Sequence, residues 1–345
     1  MNIDEVRDAV TRWRAEGARY AEAVVTATWH SAPRRPGARF LRSAAGEIAG
    51  NVSAGCVEAD LAARLDLVLA GDAPSLVTYG VSDETAHGVG LACGGTIEVW
   101  LAGRGPGDHV WPALVEHVGA RRAGMLLTDV SEGGSADRWL LGTDGQVLER
   151  DAGAVETPPG AAVAAGRELL ATGGVAVVGE DASARTLVEV LLPSRRLVVV
   201  GATPIGAALD ALARAAGIAV GVIEPRSGYA GSLTDGADLD DRWPDEALAE
   251  FGLDRSTAIA VVAHDARIDQ AALAAALDSE AGYIGLLGGR KTRDARFASL
   301  RDSGVGAAEL ERIYAPIGID IGAESPPEIA LSILSQIVAV WRGAA

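Results

Sequence analysis

The chain has 345 residues, a formal net charge of −17 and an apolar fraction of 49%, with aromatic residues at only 4%. That length supports two domains with substantial cores, and the scarcity of aromatics means those cores are built from Ala, Val, Leu and Ile, as in buried parallel strands and close helix packing. A surface this acidic repels phosphate backbones and anionic membranes, so neither nucleic acid nor a membrane is an expected partner.

Met1-Asn2-Ile3-Asp4-Glu5 has neither a basic nor an apolar leader region, and no stretch reaches the ~18 uninterrupted apolar residues of a membrane span. The expected location is the cytoplasm. Residues 4–21 read as an amphipathic helix carrying Val6, Val10, Trp13 and Tyr20. A β-rich run over 22–28 and a Pro/Arg turn over 31–37 follow, then a hairpin of Arg39-Phe40-Leu41 and Ile48-Ala49 around Ala45-Gly46. A helix over 57–69 ends at Gly71, and strands over 76–79 and 96–101 flank the glycine-rich run Gly88–Gly95.

This order then recurs in weaker form. Arg138-Trp139-Leu140-Leu141 with Asp144-Gly145 parallels the Arg39 hairpin, residues 166–171 ended by Gly173-Gly174 parallel the helix ended by Gly71, and Leu187-Val188-Glu189-Val190 parallels Thr96-Ile97-Glu98-Val99. Residues 1–192 therefore read as one α+β domain with a degenerate internal repeat. The second copy has no cysteine, which places the chemistry on the first.

Pro193-Ser194-Arg195-Arg196 reads as a hinge. From there strands over 197–200, 218–223, 258–263 and 283–287 alternate with helical stretches, the first over 206–216. The last helix opens on the capping box Ser325-Pro326-Pro327-Glu328 and runs to about Trp341. Residues 193–345 thus read as a doubly wound, mainly parallel sheet, and the whole chain as α/β.

Both cysteines lie in glycine-rich loops: Cys56 after Ser53-Ala54-Gly55 at a helix start, and Cys93 before Gly94-Gly95 and a strand. Thiolates are soft ligands that suit polarizable metals and sulfur transfer, whereas a cysteine with no such role is usually a buried core residue. A disulfide between the two is a further reading. A zinc site is less expected, since there is no CxxC and only His87 lies close in sequence. Arg34, Arg35 and Arg39 precede the first cysteine loop, either to meet an anion or as a solvated turn.

In the second half, Gly201-Ala202-Thr203-Pro204-Ile205-Gly206 lies between a strand and a helix, and Glu224 ends the next strand. That is the context of a dinucleotide-binding turn with its ribose-binding acid, but Thr203 stands where the central glycine belongs and Pro204 removes an amide. The alternatives are a site for NAD(P) or another nucleotide and a purely structural turn. His264 follows the third strand and is the candidate proton-transfer group. Gly288-Gly289-Arg290-Lys291 opens a helix after the fourth strand, where Arg290 and the amides suit an anion.

The stretches Gly46–Glu58 and Gly90–Glu98 together resemble the N-terminal signature of the XdhC/CoxI accessory proteins, and the part from Leu197 onward resembles that family's Rossmann-like domain. Ala54 departs from the family's usual glycine. The resemblance implies a chaperone that binds molybdenum cofactor (molybdopterin) and supports its sulfuration and insertion into a molybdenum hydroxylase such as xanthine dehydrogenase. It implies that Cys56 and Cys93 contact the cofactor and its molybdenum. Beside them Gly55, Gly94 and Gly95 are candidate binding residues, with Arg39 for a phosphate and Glu58 or Glu98 for a pterin edge, Glu58 alternatively serving only the first turn of its helix. Its implied partners are the apo-hydroxylase and a cysteine desulfurase or sulfurtransferase, with a homodimer as the expected assembly. A maturation factor is favoured over a catalyst. The competing function is an NAD(P)-dependent oxidoreductase built on Gly201, Gly206, Glu224 and His264.

Overall fold

The structure, a computed structural model, describes residues 3–32, 34–80, 95–105, 107–179, 181–229 and 238–344. The chain divides into two compact units, Met1–Pro193 and Ser194–Ala345.

The first unit opens with α1 (Asp4–Ala15), β1 (Tyr20–Trp29), β2 (Arg39–Ser43), β3 (Ile48–Gly50), α2 (Glu58–Ala70), β4 (Ser75–Tyr79) and β5 (Thr96–Arg104). The same sequence of elements then repeats as α3 (Val110–Gly119), β6 (Gly124–Asp129), β7 (Arg138–Gly142), β8 (Val147–Arg150), α4 (Gly160–Leu169), β9 (Val175–Val178) and β10 (Thr186–Leu191). Each copy forms a five-stranded sheet, in the orders β3-β2-β1-β5-β4 and β8-β7-β6-β10-β9. The internal repeat is therefore the architecture of the unit, with α3, β6 and β9 as elements additional to those read from sequence.

Two sequence readings need correction. The first helix stops at Ala15, because Gly17 takes a left-handed φ of 69° and Ala18 donates its amide back to the Trp13 carbonyl at 2.8 Å. Tyr20 belongs to β1 instead. The second correction is one of register. The hairpin turns match, with Gly46 donating to Ser43 and Gly145 to Gly142, so Arg39 is equivalent to Arg138. Ala21 opposes Arg42 and Gly103, while Met125 opposes Leu141 and Val190. Glu189 is thus equivalent to Ala102 rather than Glu98, because β5 runs further than β10 beyond the paired stretch.

The first helices of the two copies share one core: Val6, Val10 and Trp13 of α1 meet Val110, Trp111 and Leu114 of α3 over Leu41, Leu126 and Leu140. On its other side each sheet carries its own helix, α2 over Phe40 and Ile97, and α4 over Met125 and Trp139. At about 1.5–3 kcal/mol for each large aliphatic side chain fully buried, this packing is the main drive for folding.

A chain of buried charges runs through the unit. Arg39 donates to both carboxylate oxygens of Glu189, one at 2.7 Å, and lies 3.7 Å from Glu22. Arg104 donates to Glu22 at 2.6 Å and to the Ala136 carbonyl at 2.5 Å. Arg138 bridges Asp108 and Asp151, and Asp108 also accepts from the Tyr20 hydroxyl at 2.8 Å. All of these side chains are buried. Burial pushes the Glu22 carboxyl up, but Arg104, Arg138 and Arg39 together hold it below the usual carboxylate range. The Arg39–Glu189 pair joins the first copy to the second. Removing one partner strands a buried charge, which costs about 3–5 kcal/mol, whereas replacing both with apolar groups is close to neutral. Denaturant unfolding of Arg39→Met is expected to show a loss of that order, with most of it recovered in Arg39→Met/Glu189→Met. Equal losses in the two variants would contradict the pairing.

The second unit holds β11 (Arg196–Val200), α5 (Pro204–Ala215), β12 (Ala219–Ile223), β13 (Asp238–Asp240), α6 (Pro244–Glu250), β14 (Thr257–Val261), α7 (Ala266–Leu277), β15 (Tyr283–Leu286), α8 (Arg290–Asp302), α9 (Ala307–Leu310), β16 (Ile313–Tyr314) and α10 (Pro326–Trp341). Its six strands are all parallel, in the order β13-β12-β11-β14-β15-β16. Helices α6, α7 and α8 cover one face, and α5 and α10 the other. The order reverses between β11 and β14, the point at which such sheets bind ligands. Among the described residues, no helix is long and apolar enough to cross a membrane.

Candidate functional site

In the first copy, the loop between β3 and α2 is built around one carboxylate. Glu58, the first residue of α2, accepts from the amides of Val52 (3.1 Å), Ser53 (2.8 Å), Gly55 (2.9 Å) and Val57 (3.2 Å), and from the Ser53 hydroxyl. Asn51 accepts from the Ala54 amide at 2.7 Å. Ala54 is left-handed at φ 59° and Gly55 at φ 107°. A side chain at such a φ costs about 1–2 kcal/mol, so Ala54 sits where glycine is the easier residue.

The result is a wound loop that displays Cys56 as a free, exposed thiol. The core-residue reading of Cys56 is thereby removed. Two other expectations change. Glu58 is consumed in bracing the loop, so its role is to hold Cys56 in place rather than to bind a ligand. Arg39 is buried against Glu189, so it joins the two copies rather than meeting a phosphate. In the neighbouring turn Arg34 is paired with Glu5 at 2.7 Å, while Arg35 is exposed. Glu98 accepts from Thr26 at 2.6 Å and pairs with Arg185 at 2.9 Å.

Cys93 and Gly94 lie outside the described residues. Gly95 is described, and it packs so closely that a Cβ there would sit 2.4 Å from the Ser31 carbonyl oxygen. Tyr79, at the end of β4, donates its hydroxyl to Asp60 of α2 at 2.6 Å. One flank of the second cysteine loop is thereby tied to α2, which follows the first, and the other to the turn after β1. Trp29, which sequence reading overlooked, ends β1 directly opposite Thr96 and is 47% exposed. A large exposed aromatic beside Gly95, in a chain so poor in aromatics, was the available signal.

In the second unit the expected dinucleotide turn is occupied by its own side chains. Thr203 caps α5, accepting from the Gly206 amide and donating to the Val262 carbonyl, both at 3.2 Å. Glu224 accepts from the Ala202 amide at 2.8 Å and from three nitrogens of Arg226. Its carboxylate is taken up by these bonds and is not free for a ribose. Gly201 and Gly206 serve packing, since a Cβ on Gly201 would meet Ala263 at 2.5 Å and one on Gly206 would lie 2.0 Å from the Gly201 carbonyl oxygen. His264 is exposed at φ 59° just past β14, and Arg290 is exposed at the first position of α8.

The XdhC and CoxI family domain matches residues 13–80, which span the Cys56 loop, and the XdhC Rossmann domain matches residues 197–337. The chain belongs to the XdhC and CoxI family. A Bacillus subtilis relative, named as a probable xanthine dehydrogenase subunit, is 27% identical over 326 residues, 89% of each chain. The Escherichia coli protein PaoD, named a molybdenum cofactor insertion chaperone, is 32% identical over 100 residues, 29% of this chain and 31% of PaoD. The fold matches a Bacillus halodurans crystal structure described as that of a xanthine dehydrogenase, with a TM-score of 0.75 at 22% identity over 98% of this chain and 96% of the other.

Burial pushes the Glu58 carboxyl up, but the bonds from the Ser53 hydroxyl and the Ser53 and Val52 amides outweigh it and hold it below the usual range. Its hold on the loop is therefore complete above the unfolded value of about 4.3, and is lost as pH falls through the lower folded value. Hydrogen exchange is expected to show Ser53 and Gly55 protected at neutral pH, with protection lost in acid and absent at neutral pH in Glu58→Ala. Wild-type protection in Glu58→Ala would refute this account of the loop.

Proposed function

We propose that this chain is an accessory protein that holds molybdenum cofactor on the first copy of its repeat and delivers it to a molybdenum hydroxylase. The observation that carries the reading is the Cys56 thiol, presented to solvent on a loop braced by Glu58 within the stretch that matches the family domain. The name of PaoD supports the same role.

The residues present suit that cargo. A thiolate is a soft donor for a polarizable metal. The loop amides of Val52 to Gly55 are already bonded, so the loop offers sulfur rather than an anion nest. Trp29 offers a face on which a pterin stacks, and Arg35 an exposed cation for a phosphate. In this proposal Cys93 supplies the second thiol, with Gly94 and Gly95 allowing close approach. The cargo supplies the metal and its terminal sulfur, while the chain grips and orients it. The partners are then an apo-hydroxylase and a sulfur donor of the cysteine desulfurase or sulfurtransferase class.

The test is molybdopterin binding by wild type, Cys56→Ser and Cys93→Ala. Wild type is expected to bind saturably, and each variant to lose about tenfold or more in affinity, or about 1.4 kcal/mol. Equal affinity across the three proteins would reject the proposal.

A further inference from the structure

In the second unit, groups of the chain itself close one side of the crevice above the strand ends and leave the other side open. Beside β12, Glu224 takes up the Ala202 amide, the Thr203 hydroxyl takes up the Gly206 amide, and Pro204 has no amide to offer. The donors and the acceptor that a nucleotide's pyrophosphate and ribose require are thereby spent. Beyond β14 lies an open pocket of about 400 Å³, with Ile205, Leu287 and Ile317 as aliphatic walls and His264, Asp320 and Ser332 as its polar groups.

The pocket is a built one. Gln336 of α10 accepts from the Gly318 amide at 2.8 Å and from the Tyr283 hydroxyl at 2.6 Å, which pins the loop after β16 against the sheet. A Cβ on Gly318 would sit 2.5 Å from the Ser332 hydroxyl oxygen, so loop and helix touch. His264 reaches the rim from a left-handed backbone that few side chains adopt. Mostly apolar walls with a few convergent polar groups, at a switch point and within the usual volume range of roughly 300–1,000 Å³, are the attributes of a small-molecule site.

We propose that this pocket binds a neutral, flat heterocycle of one or two fused rings, with His264 at its polar edge, and does not bind a dinucleotide. Branched aliphatic walls suit the faces of a ring. The His264 imidazole can donate and the Asp320 carboxylate accepts only, so the polar edge matches a ring bearing both N–H and acceptor nitrogen. The same carboxylate repels a phosphate or carboxylate ligand and opposes the pull of the α8 N-terminus, whose Gly288 and Gly289 also line the pocket. This site is independent of the cysteine loop.

The experiment is ligand-observed NMR and calorimetry on the full chain, with nicotinamide, adenine and benzimidazole as ring probes, and AMP and NAD as phosphate-bearing counterparts of the first two. The variants are His264→Gly, which tolerates the left-handed backbone, and Ile205→Trp, which fills the pocket. At least one ring probe is expected to bind saturably, no more weakly than AMP or NAD, and to lose about tenfold or more in both variants while their thermal unfolding is unchanged. The proposal is overturned by tighter binding of NAD than of any ring probe, by ring binding unaffected in both variants, or by no saturable binding of any ring probe.

Discussion

A buried pair, Arg39 with Glu189, makes one body of two copies of a motif that share little sequence. Around it Arg104, Arg138, Glu22, Asp108 and Asp151 are all removed from water, and each charge is met by an opposite one. Such a network adds little net stability compared with apolar packing, but removing any one member leaves its partner uncompensated in the interior. The shared core of α1 and α3 supplies the burial, and the charge pairs link the two sheets.

Once the copies are fixed, they are free to diverge where they meet solvent. After β8 the chain leads into Asp151, which turns inward to Arg138 and accepts from the Val110 amide. After β3 it leads instead into the loop that Glu58 gathers, and the thiol of Cys56 points out. At this position one copy turns a carboxylate inward and the other displays an exposed thiol. The second unit shows a comparable specialisation: it keeps the parallel sheet and the glycine turn, but Thr203 and Glu224 close that turn with internal hydrogen bonds.

Much of this was legible in the residues. The hairpin turns, the repeat, the alternation after residue 193 and the capping box at Ser325, where Glu328 accepts from the Ser325 amide at 2.8 Å, follow from local pattern and local hydrogen bonding. Roles that depend on distant partners were not legible. Arg39 resembles a solvated turn residue because Glu189 lies 150 positions away in sequence. Glu58 resembles a helix-start acid with a free carboxylate until the loop folds back onto it. Glu224 has its partner two positions on, so Arg226 was the visible warning that the ribose acid is taken.

The proposed cargo site requires Cys56 and Cys93 to lie together, which the bond from Tyr79 to Asp60 of α2 favours. The direct measurement is bridging of the native protein by dibromobimane, which becomes fluorescent when it spans two nearby thiols. One intramolecular fluorescent bridge between Cys56 and Cys93, absent in Cys56→Ser and after unfolding, is the predicted result. Separate alkylation of the two thiols with no bridge in the native protein would contradict it.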